Sequence, residues 1–149
     1  MTRRKSYLLD TNIIGGKVFG DARTLPGGQH LSCVVYAELM TAAAPKEYRA
    51  YTETWKRAAT DDRLIVPHPD DWLPATRILH LLAQERKRNA GGKSPSRTPT
   101  AKQELFADVL IALSAARAGV TVVTDDGDFR AIKRFHKKLQ IIGGDEFFT

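Results

Sequence analysis

Near its N-terminus the chain reads Tyr7-Leu8-Leu9-Asp10-Thr11-Asn12-Ile13-Ile14, and this stretch decides the fold. Three apolar residues predict a short buried strand, which stops at a carboxylate followed by two small polar residues. Asp10 therefore stands at the carboxyl end of a strand, where open parallel sheets bind their ligands. The alternative is that Asp10 or Asn12 is an N-cap, whose side chain accepts a hydrogen bond from a free backbone N–H of the next helix.

The size and composition of the chain fit one soluble globular domain covering residues 1–149. The hydrophobic content of 42% over 149 residues suffices for a core without disulfides. The single cysteine, Cys33, excludes an intramolecular disulfide and favours a reducing, cytoplasmic compartment. No apolar stretch is long enough to span a bilayer, and too few apolar residues follow the basic N-terminus for a signal peptide. We therefore expect a cytoplasmic protein without a membrane partner.

The basic residues are unevenly distributed along the chain. The net charge of +6 predicts a polyanionic partner, although excess Lys and Arg also serves solubility. One segment holds cations and no acid, and its basic residues are Arg86, Lys87, Arg88, Lys93, Arg97 and Lys102. Within it, residues 89–101 are rich in Gly, Pro and Ser and predict a flexible loop. This loop is either a plain linker or a clamp that orders on a phosphate backbone. A second basic block comprises Arg130, Lys133, Arg134, Lys137 and Lys138.

The order of predicted elements indicates the fold class. Strands are predicted at about 7–9, 64–66, 120–123 and 139–142. Helices are predicted at about 11–18, at 33–43 behind the N-cap Ser32, at 46–59, from Trp72 behind Asp70 or Asp71, at 102–118 before Gly119, and at 129–135. This alternation is typical of an α/β fold, a three-layer sandwich with a mainly parallel central sheet.

Two predicted helices carry apolar faces. In the helix at 46–59 an aromatic stripe recurs at helical spacing and indicates core or a subunit interface; its members are Tyr48, Tyr51, Trp55 and Ala58. In the helix from Trp72 the residues expected to face inward are Trp72, Ala75, Ile78, Leu79 and Leu82.

Acidic residues recur where strands end or where helices are otherwise apolar. Besides Asp10 they are Glu38, Asp108 and a cluster after the third strand, Asp125, Asp126 and Asp128. The cluster is alternatively an Asp-rich turn that caps the next helix. Carboxylates gathered without cations raise one another's pKa values unless a divalent ion lies between them. Mg²⁺ or Mn²⁺ suits such a ligand set, and the predicted reaction is metal-assisted hydrolysis of a phosphodiester.

Four motifs carry a family resemblance from Tyr7 to nearly the C-terminus. They are Leu-Leu-Asp10-Thr-Asn, Ser32-Cys-Val-Val-Tyr-Ala-Glu38-Leu, Asp108-Val-Leu-Ile-Ala-Leu-Ser-Ala and Val-Thr124-Asp-Asp126-Gly-Asp128-Phe. In order and approximate spacing the chain resembles PIN-domain ribonucleases, most of all the VapC toxins of type II toxin–antitoxin systems. The resemblance implies a PIN fold, Mg²⁺ or Mn²⁺ dependence, endonucleolytic cleavage of RNA, a homodimer and inhibition by a small antitoxin.

The resemblance also implies roles for single residues. Asp10, Glu38 and Asp108 match the family's three acidic metal-site positions, and Asp126 matches the fourth by the Thr-x-Asp pattern. Asp128 matches a further acid before the Phe and joins the metal set. Asn12 and Thr124 match supporting polar positions. The chain departs from the pattern in the long basic segment at 86–102, whose six cations are assigned to RNA binding. The number of metal ions and the choice among Asp125, Asp126 and Asp128 stay open.

Two other functions are weighed against the nuclease. A basic RNA-binding or partner-binding module with a degenerate site would not need acids at every motif. A phosphatase of the haloacid dehalogenase type also begins with an acid after a strand, but it needs a second Asp two positions later. Here that position is Asn12, which disfavours the phosphatase.

Overall fold

The computed structural model describes residues 5–15, 29–91 and 98–148. The sequence Pro26-Gly27-Gly28 predicts a loop at 21–29, and of this loop only Gln29 is among the described residues. The cations Lys93 and Arg97 also lie outside them. The strands are β1 (Tyr7–Leu9), β2 (Leu31–Ser32), β3 (Leu64–Ile65), β4 (Thr121–Val123) and β5 (Ile141–Ile142). The helices are α1 (Thr11–Ile14), α2 (Cys33–Ala42), α3 (Pro45–Thr60), α4 (Trp72–Asn89), α5 (Pro99–Ala118), α6 (Asp128–Phe135) and α7 (Gly144–Phe148), with a 3₁₀ turn at Pro69–Asp71.

The strands form parallel pairs, β1 with β4, β4 with β5 and β2 with β3. A parallel bridge between Leu8 and His30 joins the two small sheets, so the order across them is β3-β2-β1-β4-β5. The chain therefore moves outward from β1 to β3 and then returns to β4. The strand order reverses between β1 and β4, and the crevice at such a reversal is where α/β folds bind ligands.

The helix boundaries follow local signals. Ser32 caps α2, since its hydroxyl accepts the N–H of Val35 at 3.3 Å. Gly119 ends α5 in the left-handed conformation with φ +71°, as predicted. The predicted start of that helix at Lys102 is wrong, because Thr98 caps it and Pro99 occupies its first turn. The basic segment therefore begins in the last turn of α4 and ends inside α5.

The core lies between the central strands and the helices. Val122, Val123, Val109 and Ile111 are fully buried, as is Phe129 of α6. Contacts of α5 with α2, α4 and α6 hold the helices around β4. Within the described ranges no helix has the length and apolar character needed to cross a membrane.

Some predicted placements are wrong. Trp72 is 47% exposed, because it is the first residue of α4, and its ring packs against Phe106 with the centroids 5.7 Å apart. Val66 is 58% exposed and lies beyond the end of β3. The aromatic stripe of α3 divides: Tyr51 is buried against Tyr36 at 5.6 Å, whereas Tyr48 is 49% exposed.

Two elements were not predicted. Strand β2 has two residues, too few for any periodicity, and pairs with β3. Helix α7 begins at Gly144, beyond the last predicted strand. Its Phe147 packs edge-on against Tyr7 with ring centroids 5.1 Å apart, so tertiary contact supports a helix that is weak by sequence.

Candidate metal centre

Asp10 lies at the carboxyl end of β1 and is 4% exposed. Its Oδ1 accepts the backbone N–H of Thr11 at 2.8 Å, and its Oδ2 accepts the hydroxyl of Thr124 at 2.7 Å. The first of these bonds makes Asp10 the N-cap of α1. The N-cap alternative is therefore correct, and it leaves room for a second role because the carboxylate also faces the reversal between β1 and β4.

Glu38 projects from α2 toward the same edge. The hydroxyl of Thr11 donates to Glu38 Oε2 at 2.9 Å, so the one acid of α2 has a polar partner from α1. One residue, Thr11, thus bonds both Asp10 through its backbone and Glu38 through its side chain. Sequence reasoning missed Thr11, although its position directly after the strand-ending acid was the available signal.

Asp108, Asp126 and Asp128 converge most closely. Each offers a carboxylate oxygen, and these oxygens lie within 4.8 Å of one another. Asp108 comes from the buried face of α5, while Asp126 and Asp128 follow β4. The loop is preorganised, since Thr124 Oγ1 accepts the N–H of Asp126 at 3.0 Å and Asp126 Oδ1 accepts the N–H of Asp128 at 2.9 Å.

The pKa shifts show that Asp10 and Glu38 interact electrostatically with Asp108. Burial, followed by the charges of Asp10, Asp126, Glu38 and Asp128, raises the pKa of Asp108 to about 9. Burial also raises the pKa of Asp10 to about 6, against the lowering effect of its bond from Thr124. The pKa of Glu38 is raised as well, again mainly by burial. The raised pKa values were predicted, but burial rather than mutual repulsion is the larger cause.

The donor set fits a hard divalent cation. It consists of carboxylate oxygens, which Mg²⁺ and Mn²⁺ prefer, and a metal-free Asp108 resists ionisation in this position. Asp108, Asp126 and Asp128 could hold an ion directly, with Asp10 and Glu38 beside them. A bound cation would offset the electrostatic repulsion among these carboxylates.

The structure separates the three aspartates after β4. Asp125 Oδ1 accepts the backbone N–H of Gly144 at 2.8 Å, so this carboxylate anchors α7 instead of joining the close group. Glu104, one turn before Asp108 on α5, contributes to the raised pKa of Glu38, and its spacing from Asp108 could have suggested it. Asn12 is exposed in α1.

The basic residues predicted to bind RNA lie at helix ends. Arg86, Lys87 and Arg88 occupy the last turn of α4, and Lys102 is exposed in α5. In the second basic block, Arg134 forms a bidentate ion pair with Glu85, with N–O distances of 2.6 and 2.9 Å.

Comparison with known proteins supports the fold. No protein-family model and no curated protein sequence matches the chain. Similar solved structures include FitAB bound to an IR36 DNA fragment, with 19% identity, a TM-score of 0.50 and coverage of 93% of this chain and 94% of that one. FitAcB from Neisseria gonorrhoeae has 18% identity, a TM-score of 0.53 and coverage of 93% and 97%. VapBC2 from Rickettsia felis bound to a promoter DNA fragment has 18% identity, a TM-score of 0.47 and coverage of 93% and 98%. At this identity the likeness to FitAB and FitAcB establishes the fold alone, and it confirms the predicted α/β, PIN-like architecture.

Proposed function

We propose that this chain is a metal-dependent endoribonuclease that hydrolyses RNA phosphodiester bonds. The observation that carries the proposal is the meeting of Asp108, Asp126 and Asp128 oxygens within 4.8 Å, beside the buried Asp10 at the reversal of the strand order. A structural turn would not need an acid from α5 to lie buried against two acids of another loop, because unpaired buried carboxylates are costly.

The residues divide the work as follows. The residues that would hold Mg²⁺ or Mn²⁺ are Asp10, Glu38, Asp108, Asp126 and Asp128. When bound, the cation would supply an activated water and positive charge beside the phosphate. Thr124 holds Asp10 and the Asp126 loop in register through its single hydroxyl. Thr11 fixes Asp10 relative to Glu38. Burial raises the pKa of Asp108 to about 9, so Asp108 would have to lose a proton in order to act as a metal ligand.

Metal binding and RNA cleavage test the proposal together. We expect Asp10→Asn and Asp108→Asn each to weaken Mn²⁺ binding in calorimetry and to abolish cleavage of labelled RNA. Asp70→Asn is the matched control, since Asp70 is exposed and adjoins Asp71, which pairs with Arg117 at the far end of α5. A protein that binds no Mn²⁺, or that cleaves equally well after both substitutions, contradicts the nuclease and favours the binding module.

We further propose that the chain is the toxin of a toxin–antitoxin pair. The FitAB and FitAcB structures, whose fold the chain shares, support this by analogy. The partner would be a small protein encoded next to this chain, with a DNA-binding N-terminal half and an amphipathic C-terminal half that docks in an apolar groove. Purified partner should suppress RNA cleavage at equimolar ratio. A neighbouring protein that binds without reducing cleavage contradicts the pairing.

A homodimer is proposed through the exposed part of α3. Tyr51 and Ala58 face the core, which leaves Tyr48 as the exposed aromatic residue of the stripe. We expect Tyr48→Ser to lower the mass measured by light scattering. Leu73→Ser on α4 is the control, because Leu73 is apolar and 79% exposed. A monomeric wild-type protein contradicts the dimer, and a mass lowered by Leu73→Ser alone contradicts the α3 interface.

A further inference from the structure

A cleft of about 410 Å³ opens beside the acid group. We call it the α6 cleft; the lining residues used here are Asp126, Arg130, Lys133, Ile141, Ile142 and Glu146. Asp126 also belongs to the close group with Asp108, so the cleft is continuous with the candidate metal centre. Its volume lies in the range of roughly 300–1,000 Å³ that is common for small-ligand sites.

Most of the charged groups in this cleft are held by the protein itself. Lys133 donates its ammonium to the carbonyl oxygens of Leu139 and Lys137. Asp125, which also lines the cleft, accepts the N–H of Gly144. Arg130 differs: it is exposed, and within the described residues its guanidinium makes no hydrogen bond or ion pair. A cation without a protein partner at the wall of a cleft is available to an anion.

The other residues that line the cleft indicate what kind of ligand it binds. Ile141 and Ile142 of β5 are partly buried and present apolar surface. Glu146 on α7 adds negative charge to the lining and so disfavours an anion beside α7. An anionic group of the ligand is therefore expected at Arg130. A ligand with one phosphate and an apolar ring face matches this arrangement, because guanidinium binds phosphate through paired hydrogen bonds.

The position of the cleft relative to the acids suggests how such a ligand enters. At about 100° per residue, Asp128 and Arg130 project on different sides of α6. Gly127 lies between Asp126 and this helix, and a Cβ built there meets nothing within 4 Å. An RNA backbone can therefore pass over the start of α6 at Gly127, with one phosphate at the close group of aspartates and the next nucleotide in the α6 cleft.

We propose that the α6 cleft holds the RNA nucleotide next to the cleaved bond, with its phosphate on Arg130 and its ribose and base against Ile141 and Ile142. This inference rests on the proposed nuclease function. Arg130 is thereby a substrate-binding residue of the site, and it lies outside the segment at 86–102 to which the sequence assigned RNA.

The test compares Arg130→Gln with Arg134→Gln, two substitutions in the same helix with the same loss of charge. The probe is a fluorescein-labelled hexaribonucleotide, and its Kd is measured by anisotropy in EDTA, where no metal-dependent cleavage occurs. We expect Arg130→Gln to raise the Kd about tenfold. Arg134 is already bound by Glu85, so Arg134→Gln should change the Kd less than twofold. Arg130→Lys should fall between them.

Cleavage kinetics with Mn²⁺ give the second measurement. Arg130→Gln should raise KM more than it lowers kcat, since the lost contact is made in the bound ground state. Equal effects of the two arginine substitutions, or no effect of either, overturn the α6 cleft even if the protein cleaves RNA. Unchanged cleavage after Asp10→Asn overturns the nuclease even if Arg130 proves to bind the hexaribonucleotide, so the two failures are distinguishable.

Discussion

Thr124 connects the two strands at the heart of the candidate site with one hydroxyl. The hydroxyl donates to Asp10 after β1 and accepts from the backbone of Asp126 after β4. Groups that orient metal ligands typically contribute ten- to a hundredfold in metal affinity. The residue is therefore as important to the geometry as the acids that it aligns.

Replacing Thr124 by Val tests this role. We expect Thr124→Val to weaken Mn²⁺ binding about tenfold in calorimetry and to raise the pKa of Asp10 further, because the bond that lowers it is lost. Thr121→Val is the control: Thr121 is the first residue of β4 and is buried like Thr124, but its hydroxyl donates to Gln140. Equal Mn²⁺ affinity in both variants would contradict the role of Thr124.

Asp108 makes the stability of the metal-free protein depend on pH. Its pKa in the folded state, about 9, lies above the ordinary value of 3.8, so the folded protein binds this proton more tightly than the unfolded chain does. The contribution to stability is complete below about pH 4 and is lost as the pH rises through about 9. Asp10 adds the same trend between about pH 4 and pH 6.

Asp108→Asn should remove much of this pH dependence. At pH 8 in EDTA we expect the free energy of unfolding, measured with urea, to rise by on the order of 3 kcal/mol. Wild type should regain comparable stability on addition of Mn²⁺, whereas Asp108→Asn should respond weakly. Asp70→Asn should keep the wild-type slope. A wild-type protein more stable at pH 8 than at pH 5 without metal would contradict the buried, protonated state of Asp108.

At the scale of elements, α7 depends on a close approach at Gly144. A Cβ there would lie 2.9 Å from Ile13 Cδ1 and 3.0 Å from Asp125 Oδ2. The N–H of the same residue donates to Asp125. Helix α7 is thus docked against α1 and the loop after β4, and it carries one wall of the α6 cleft.

Gly144→Ala should push α7 away from that loop. Because overpacking a well-filled site costs roughly 1–3 kcal/mol, we expect the free energy of unfolding to fall by about this amount in urea titration. Gly127→Ala is the control, since its φ of −62° suits any residue and its added Cβ meets nothing within 4 Å. If both variants unfold at the same urea concentration as wild type, the docking of α7 is looser than described.

At the scale of the whole molecule, the net charge is +6, and the last turns of α3 and α4 both carry basic residues. The last turn of α4 carries Lys87 and Arg88, both exposed. Helix α3 carries an equally exposed pair, Lys56 and Arg57. The two pairs have the same charge, so substituting each in turn distinguishes a specific RNA-binding surface from a general electrostatic attraction.

The double variant Lys87→Gln/Arg88→Gln should reduce the salt dependence of RNA binding. Each lost phosphate contact lowers the slope of log Kd against log salt by about 0.7 for a single strand, so a decrease of about 1.4 is expected. Lys56→Gln/Arg57→Gln should leave the slope unchanged in the same anisotropy titration. Equal slopes for wild type and both variants would show that the end of α4 does not contact RNA.

The sequence by itself determined the elements that depend on neighbours along the chain. The Ser32 cap, the left-handed Gly119 and the buried strand before Asp10 are local patterns, and each has the predicted structure. The strand-ending acids could also be recognised, since apolar runs that stop at a carboxylate stand out in any chain. The Thr98-Pro99 helix start was equally local and was overlooked.

Only the tertiary structure decided which polar groups meet. Asp125, Asp126 and Asp128 lie within four positions of one another, and Asp125 is kept from the close group by Gly144, a residue that lies near it only after β5 has paired with β4. Likewise, the bonds from Thr11 to Glu38 and from Thr124 to Asp10 join residues 27 and 114 positions apart. The physical reason is that periodicity reports burial along one element, whereas side-chain partners depend on strand order and register, which are set by packing across the whole chain.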